Sequence, residues 1–183
     1  IKLLDMLRVL VVVYICNLIG ACIVVALVNR SGQLDYGNGA LAAATIKTAY
    51  NKMNLSFVKA FTSGIMCNIL VCLAVLFAGV CQDAIGKIFA CFFPIWAFVI
   101  AGYEHCVANM YYIPAGLLAK HGEAYYNAAI MAGMTPDQLD SMTVGKFFLN
   151  NLLPVTLGNI VGGVVFVALP LYLIYRNKNK AEA

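Results

Sequence analysis

The sequence predicts an all-α, multi-pass membrane protein. Two observations carry that fold class. Of 183 residues, 63% are apolar and 11% charged, against about 45–50% and about 25% in soluble domains. The apolar residues also gather into runs of bilayer length, and mean hydropathy over the chain is +0.87. Such a composition argues against a soluble enzyme, a nucleic-acid binder and a disordered chain. Lipid is the solvent for most of this surface, and the whole of residues 1–183 reads as one transmembrane domain.

A spanning helix needs about 20 apolar residues, because a hydrocarbon core of about 30 Å is crossed at 1.5 Å per residue. Val9–Val28, Ala60–Cys81 and Leu152–Tyr175 hold 20, 22 and 24 residues and read as one crossing each. Each carries one Asn: Asn17, Asn68 and Asn159.

Ile88–Ala119 differs. Its 32 residues would make a helix of roughly 48 Å, too long for one crossing and too short for two. Gly102, Glu104, His105 and Asn109 lie in its middle, with Pro94 and Pro114 to either side. The economical solution is one crossing made of two half-helices, broken near residues 102–109. Non-helical backbone at membrane depth survives only where protein or a water-filled cavity satisfies it. Discontinuous helices of this kind mark transport sites.

The linkers follow ordinary rules. Asn29–Lys59 holds the turn Asp35-Tyr-Gly-Asn-Gly39 and an Ala-rich stretch suited to a short helix. In Lys120–Lys146, Thr135-Pro136-Asp137 reads as an N-cap and first turn. The seven Cys lie in or beside apolar runs with no CxxC pair, which argues for packing residues rather than a disulfide framework or zinc site. No metal-ligand spacing, phosphate-binding glycine loop or nucleophile motif occurs, so the chain reads as neither an enzyme nor a cofactor protein.

Asn17–Leu27 (NLIGACIVVAL) and Asn159–Leu169 (NIVGGVVFVAL) agree at five of eleven positions. They lie three crossings apart, so they run in opposite directions, as in an inverted-topology repeat. Completing the first repeat needs two more crossings before Val9, one of them broken. The chain therefore reads as lacking the first two of six transmembrane helices.

Charge sets orientation. Arg176, Lys178 and Lys180 follow the last run, which predicts a cytoplasmic C-terminus. Asn29–Lys59 then lies outside, carrying Arg30, Lys47, Lys52 and Lys59 against Asp35. That runs against the positive-inside tendency, and a basic vestibule for anions would account for it.

His105 is the leading functional candidate. Intramembrane ionisable residues are costly and face a bundle interior or cavity. Histidine can donate to an anion and exchange protons near neutral pH. Glu104 would repel anions, so it reads as an orienting or capping partner beside the path. Asn68 and Asn159 suit inter-helix hydrogen bonds and polar pore positions equally well. Gly158 and Gly162 form a GxxxG pattern, the mark of close helix packing.

Three ordered motifs then point to a family. Gly64-Ile-Met-Cys-Asn68-Ile-Leu-Val-Cys-Leu-Ala74, Gly102-Tyr-Glu-His-Cys-Val-Ala-Asn-Met110 with Ile113-Pro114, and Leu153-Pro-Val-Thr-Leu-Gly-Asn159-Ile-Val-Gly-Gly163 resemble the formate/nitrite transporter family. The resemblance covers the chain from the family's third helix to its sixth, and is closest to the hydrosulfide channels of clostridial type. It implies an aquaporin-like six-helix protomer in a homopentamer of the bacterial inner membrane, with one pore per protomer. It also implies passage of hydrosulfide, formate or nitrite down their gradients. By residue, His105 matches the central pore histidine, with Glu104 and Asn109 in its motif. Lys52 matches the lysine of the outer vestibule, Phe98 and Val71 match constriction positions, and Asn68 and Asn159 match polar positions beside the pore. A proton-coupled symporter of the same anions, with Glu104 carrying the proton, is an open alternative. An aquaporin-like channel for neutral solutes is another, although the Asn-Pro-Ala motifs it expects do not occur.

Overall fold

The computed structural model describes residues 2–181, with side chains described as far as Arg176. Lys178 and Lys180 of the expected basic tail lie outside the described side chains. Among the described residues all regular structure is helical. The chain divides into two compact units, each made of two separate segments.

The first unit comprises Ile1–Leu55 and Val107–Leu152. It opens with α1 (Leu3–Arg30), longer than the expected Val9–Val28, which buries only Val25 among its described residues. A short 3-10 turn at Gln33–Asp35 follows, and Gly37, Asn38 and Gly39 then turn the chain at positive φ. The Ala-rich stretch does form a helix, α2 (Ala40–Met53), burying Ala42, Ala43, Ile46, Ala49 and Met53. That spacing of three and four residues is one helical face.

α5 (Cys106–Ala119) contributes all but its first residue to this unit. It meets α2 closely at Gly116, where a Cβ would stand 3.0 Å from the Thr45 carbonyl oxygen. α6 (Glu123–Met131) packs on α2, and Tyr125 Oη donates to Asp35 Oδ1 at 2.8 Å. α7 (Pro136–Asp140) starts as expected, with a capping box between Thr135 and Gln138. The Lys120 ammonium donates to the carbonyls of Leu139 and Met142 at 2.9 and 2.7 Å, holding the end of this connection. α8 (Val144–Lys146) then runs into a π-helical turn, Phe147–Leu152.

The second unit comprises Ser56–Cys106 and Leu153–Ala183. It contains α3 (Phe57–Val80), α4 (Ala84–Ile100), α9 (Leu153–Gly163), a second π turn at Val164–Ala168, and α10 (Leu169–Ala181). α3 packs on α9 and on α4. The α3–α9 contact is backbone against backbone. A Cβ on Gly158 or Gly162 would collide with the carbonyl oxygens of Phe61 and Ile65. The GxxxG pattern therefore does what small residues do in membrane bundles.

α1, α3 and the continuous helical stretch Val144–Arg176 are long and apolar enough to cross a membrane. α4 and α5, at 17 and 14 residues, each fall short of the ~20 needed. The 88–119 run is thus two helices, separated at residues 101–105. The break is shorter than the expected 102–109, and Asn109 sits inside α5 rather than in the break. The repeat-related segments also differ locally: Gly162 is buried against α3, whereas Gly20 has open space around its Cβ position.

Candidate functional site

The break between α4 and α5 begins with a glycine cap. Gly102 takes φ 68°, its N–H donates to Val99 O at 3.1 Å, and Tyr103 N–H donates to Phe98 O at 3.0 Å. This is the Schellman arrangement, which needs a left-handed residue where glycine is cheapest. It stops α4 and turns the chain towards Glu104 and His105.

The polar backbone freed at the break is satisfied by side chains of α3 and α9. Glu104 N–H donates to Ser63 Oγ at 3.0 Å. Cys106 N–H donates to Asn159 Oδ1 at 2.9 Å. Asn159 Nδ2 donates to Glu104 O at 3.0 Å and to Gly64 O at 2.9 Å. Asn68 Nδ2 in turn donates to Asn159 O. Asn159 thus commits both amide protons and its oxygen to backbone, the solution that lipid demands of an interrupted helix. The amide holds the break in place. Nothing in the sequence pattern flags Ser63, a small polar residue one position before Gly64 in an apolar helix.

His105 and Phe98 come together in the same unit. Their rings stack with centroids 5.8 Å apart and planes 18° from parallel. Phe98 is buried and His105 half-buried. Glu104 is 4% exposed. Val71 is half-buried on α3, one turn beyond Cys67 and Asn68. Five of the expected residues (His105, Glu104, Phe98, Asn68 and Asn159) therefore cluster around the break.

Lys52 and Asn109 belong to the first unit. Lys52 lies in the last turn of α2, where a cation suits the helix dipole. Its ammonium stands 5.5 Å from the centre of the Tyr112 ring. Asn109, fully buried, donates through Nδ2 to Asn151 Oδ1 at 2.7 Å. Asn151, also fully buried, donates to Lys52 O at 2.9 Å. Nothing in the sequence pattern flags Asn151, which follows another Asn in a polar-looking pair.

The sequence matches the formate/nitrite transporter family over residues 1–173. It is 36% identical to the formate channel FocA of Haemophilus influenzae over 165 residues, 89% of this chain and 57% of that protein. It is 40% identical to the uncharacterised transporter YrhG of Bacillus subtilis over 171 residues, 93% of this chain and 56% of that protein. A solved pentameric formate channel with formate bound superposes with a TM-score of 0.85 at 36% identity, covering 93% of this chain and 67% of that one. The chain spans less than two thirds of the length of these curated relatives. The relatives with assigned roles are named as channels or transporters, and with the apolar helices this makes the chain a membrane protein. The chain belongs to the formate/nitrite transporter family.

Proposed function

We propose that this protein is a channel for small monovalent anions or their weak acids, with formate first among them and nitrite and hydrosulfide as further substrates of the same charge and size. The observation that carries the reading is the ordered break at 101–105, which presents His105 against Phe98 in a chain related to formate channels. In this reading residues 1–183 form one channel domain of an aquaporin-like, six-helix protomer. Two helices precede α1, and five protomers assemble in a bacterial inner membrane with the C-terminus in the cytoplasm.

The mechanism follows from the cost of moving an anion through apolar surroundings. Lys52 raises the local anion concentration before entry. Phe98 and Val71 narrow the path and strip water from the anion. His105 supplies a hydrogen bond, or a proton, so that the species crosses close to neutral. The start of α5, whose first residue follows His105 directly, adds the partial positive charge of a helix N-terminus. Glu104, buried beside the histidine, orients it rather than meeting the anion. Asn68 and Asn159 keep the break in shape.

The buried Glu104 next to His105 also supports a second reading, proton-coupled symport of the same anions. The test is uptake of formate, nitrite and hydrosulfide into liposomes holding the intact protein, with and without an imposed proton gradient. A channel carries flux in both conditions. Flux only with the gradient favours the symporter, and no flux of any of the three anions overturns the anion reading.

A further inference from the structure

We infer that Asn151 is a positioning residue that holds Lys52 for anion capture, an inference that rests on the channel reading above. The Lys52 carbonyl lies in the last turn of α2. Asn151 Nδ2 donates to it at 2.9 Å. The Oδ1 of the same side chain accepts from Asn109 Nδ2 at 2.7 Å. Asn109 and Tyr112 stand one turn apart on α5, on the same helical face. Tyr112 lies under the Lys52 ammonium at 5.5 Å. So α5 holds Lys52 at two points: the charged head through a ring, and the main chain through the Asn109–Asn151 relay.

The residue type fits this role. Asn151 is fully buried, and an unmet amide there would be destabilising. A leucine would fill the same volume without that demand, so the amide earns its place through its bonds. The π turn Phe147–Leu152 widens the helix at this point, and of the adjacent pair Asn150 is exposed while Asn151 is buried. The main-chain anchor fixes where the lysine's flexible stem begins and the Tyr112 ring meets its ammonium; together they set how strongly an anion is captured. Neither touches the step at His105.

The test is the initial rate of formate uptake into liposomes, measured against formate concentration at low salt. The variants are Asn151→Leu, Asn151→Asp, Lys52→Ala, the Asn151→Leu/Lys52→Ala pair, and Asn150→Ala as the exposed control. Asn151→Asp keeps the shape and the acceptor for Asn109 but loses the amide donor. Loss of all uptake by the unaltered protein would overturn the channel reading itself, separately from this inference. With uptake present, Asn151→Leu and Asn151→Asp should raise the half-saturating concentration at least about fivefold and leave the maximal rate within twofold. Asn151→Leu should add less than twofold to the loss caused by Lys52→Ala. Asn150→Ala should match the unaltered protein. A fall in maximal rate with unchanged half-saturation, or full multiplication of the two losses in the double variant, overturns the proposal. If Asn151→Leu fails to assemble, Asn151→Asp decides alone, and failure of both variants to assemble overturns the proposal in favour of a purely structural amide.

Discussion

The side-chain amide of Asn159 donates to the main-chain carbonyl of Glu104 at 3.0 Å, while its oxygen accepts from Cys106 N–H at 2.9 Å. One side chain thus brackets His105 from both sides along the chain. Replacing Asn159 by Leu removes three hydrogen bonds at once, to Glu104 O, Cys106 N–H and Gly64 O, each contributing about 0.5–1.5 kcal/mol. The expected outcome is failure to assemble, or a melting midpoint far below that of the unaltered protein in detergent. A melting midpoint unchanged in Asn159→Leu would show that the break does not depend on this amide.

Substituting His105 by Phe keeps a ring to stack on Phe98 but removes the donor. A hydrogen bond to a charged group contributes about 1.5–3 kcal/mol, so formate flux should fall by roughly ten- to a hundredfold while the melting midpoint stays close to that of the unaltered protein. Flux equal to that of the unaltered protein would remove His105 from the anion path.

Charge reversal in Lys52→Glu should weaken formate uptake most at low ionic strength. The deficit should shrink as salt rises past about 0.1 M, where the screening length is about 10 Å. Uptake rates measured across a salt series check this, and a deficit independent of salt would point to a packing defect instead.

Gly162 faces the Ile65 carbonyl so closely that a Cβ has no room. Gly162→Leu should therefore force α3 and α9 apart, with a loss of about 1–3 kcal/mol or more from overpacking. Gly20→Leu, with open space in place of that contact, should change the melting midpoint little. Thermal melting of both variants in the same detergent makes the comparison.

The Tyr125 hydroxyl is held by the Asp35 carboxylate, which raises its pKa above the ordinary tyrosine range, helped by desolvation and by repulsion from the same charge. A raised value means the neutral phenol is favoured in the folded state. Its contribution to stability is complete below about pH 10 and is lost as pH rises through the raised value. Alkaline absorbance titration of the unaltered protein minus Tyr125→Phe should place this tyrosine above ordinary tyrosine, and Asp35→Asn should bring it back down.

Much of this was legible in the chain. The runs at 60–81 and 152–175 correspond to α3 and to the stretch Val144–Arg176, because lipid enforces length and apolarity directly. The interruption at Gly102 was legible for the same reason: a glycine, a glutamate and a histidine cannot continue an apolar helix cheaply. Its extent was not. Asn109 looked like part of the break because it is polar, yet Asn151 meets its amide and lets the backbone stay helical. The extra length of α1 escaped because Leu3, Asp5 and Arg8 are compatible with a helix that continues beyond the apolar run.

Composition and spacing alone establish the membrane, the helices and the one interrupted crossing, because hydropathy and element length are local properties. Which polar groups satisfy that interruption is a long-range matter. Asn159 lies 55 residues from Glu104 and Asn151 lies 99 from Lys52, and only the packing of α3 on α9 and of α2 against the Phe147–Leu152 turn brings donors to these carbonyls. Hydrogen bonds act over about 3 Å, so their partners are set by the folded arrangement and leave no periodic trace in the chain.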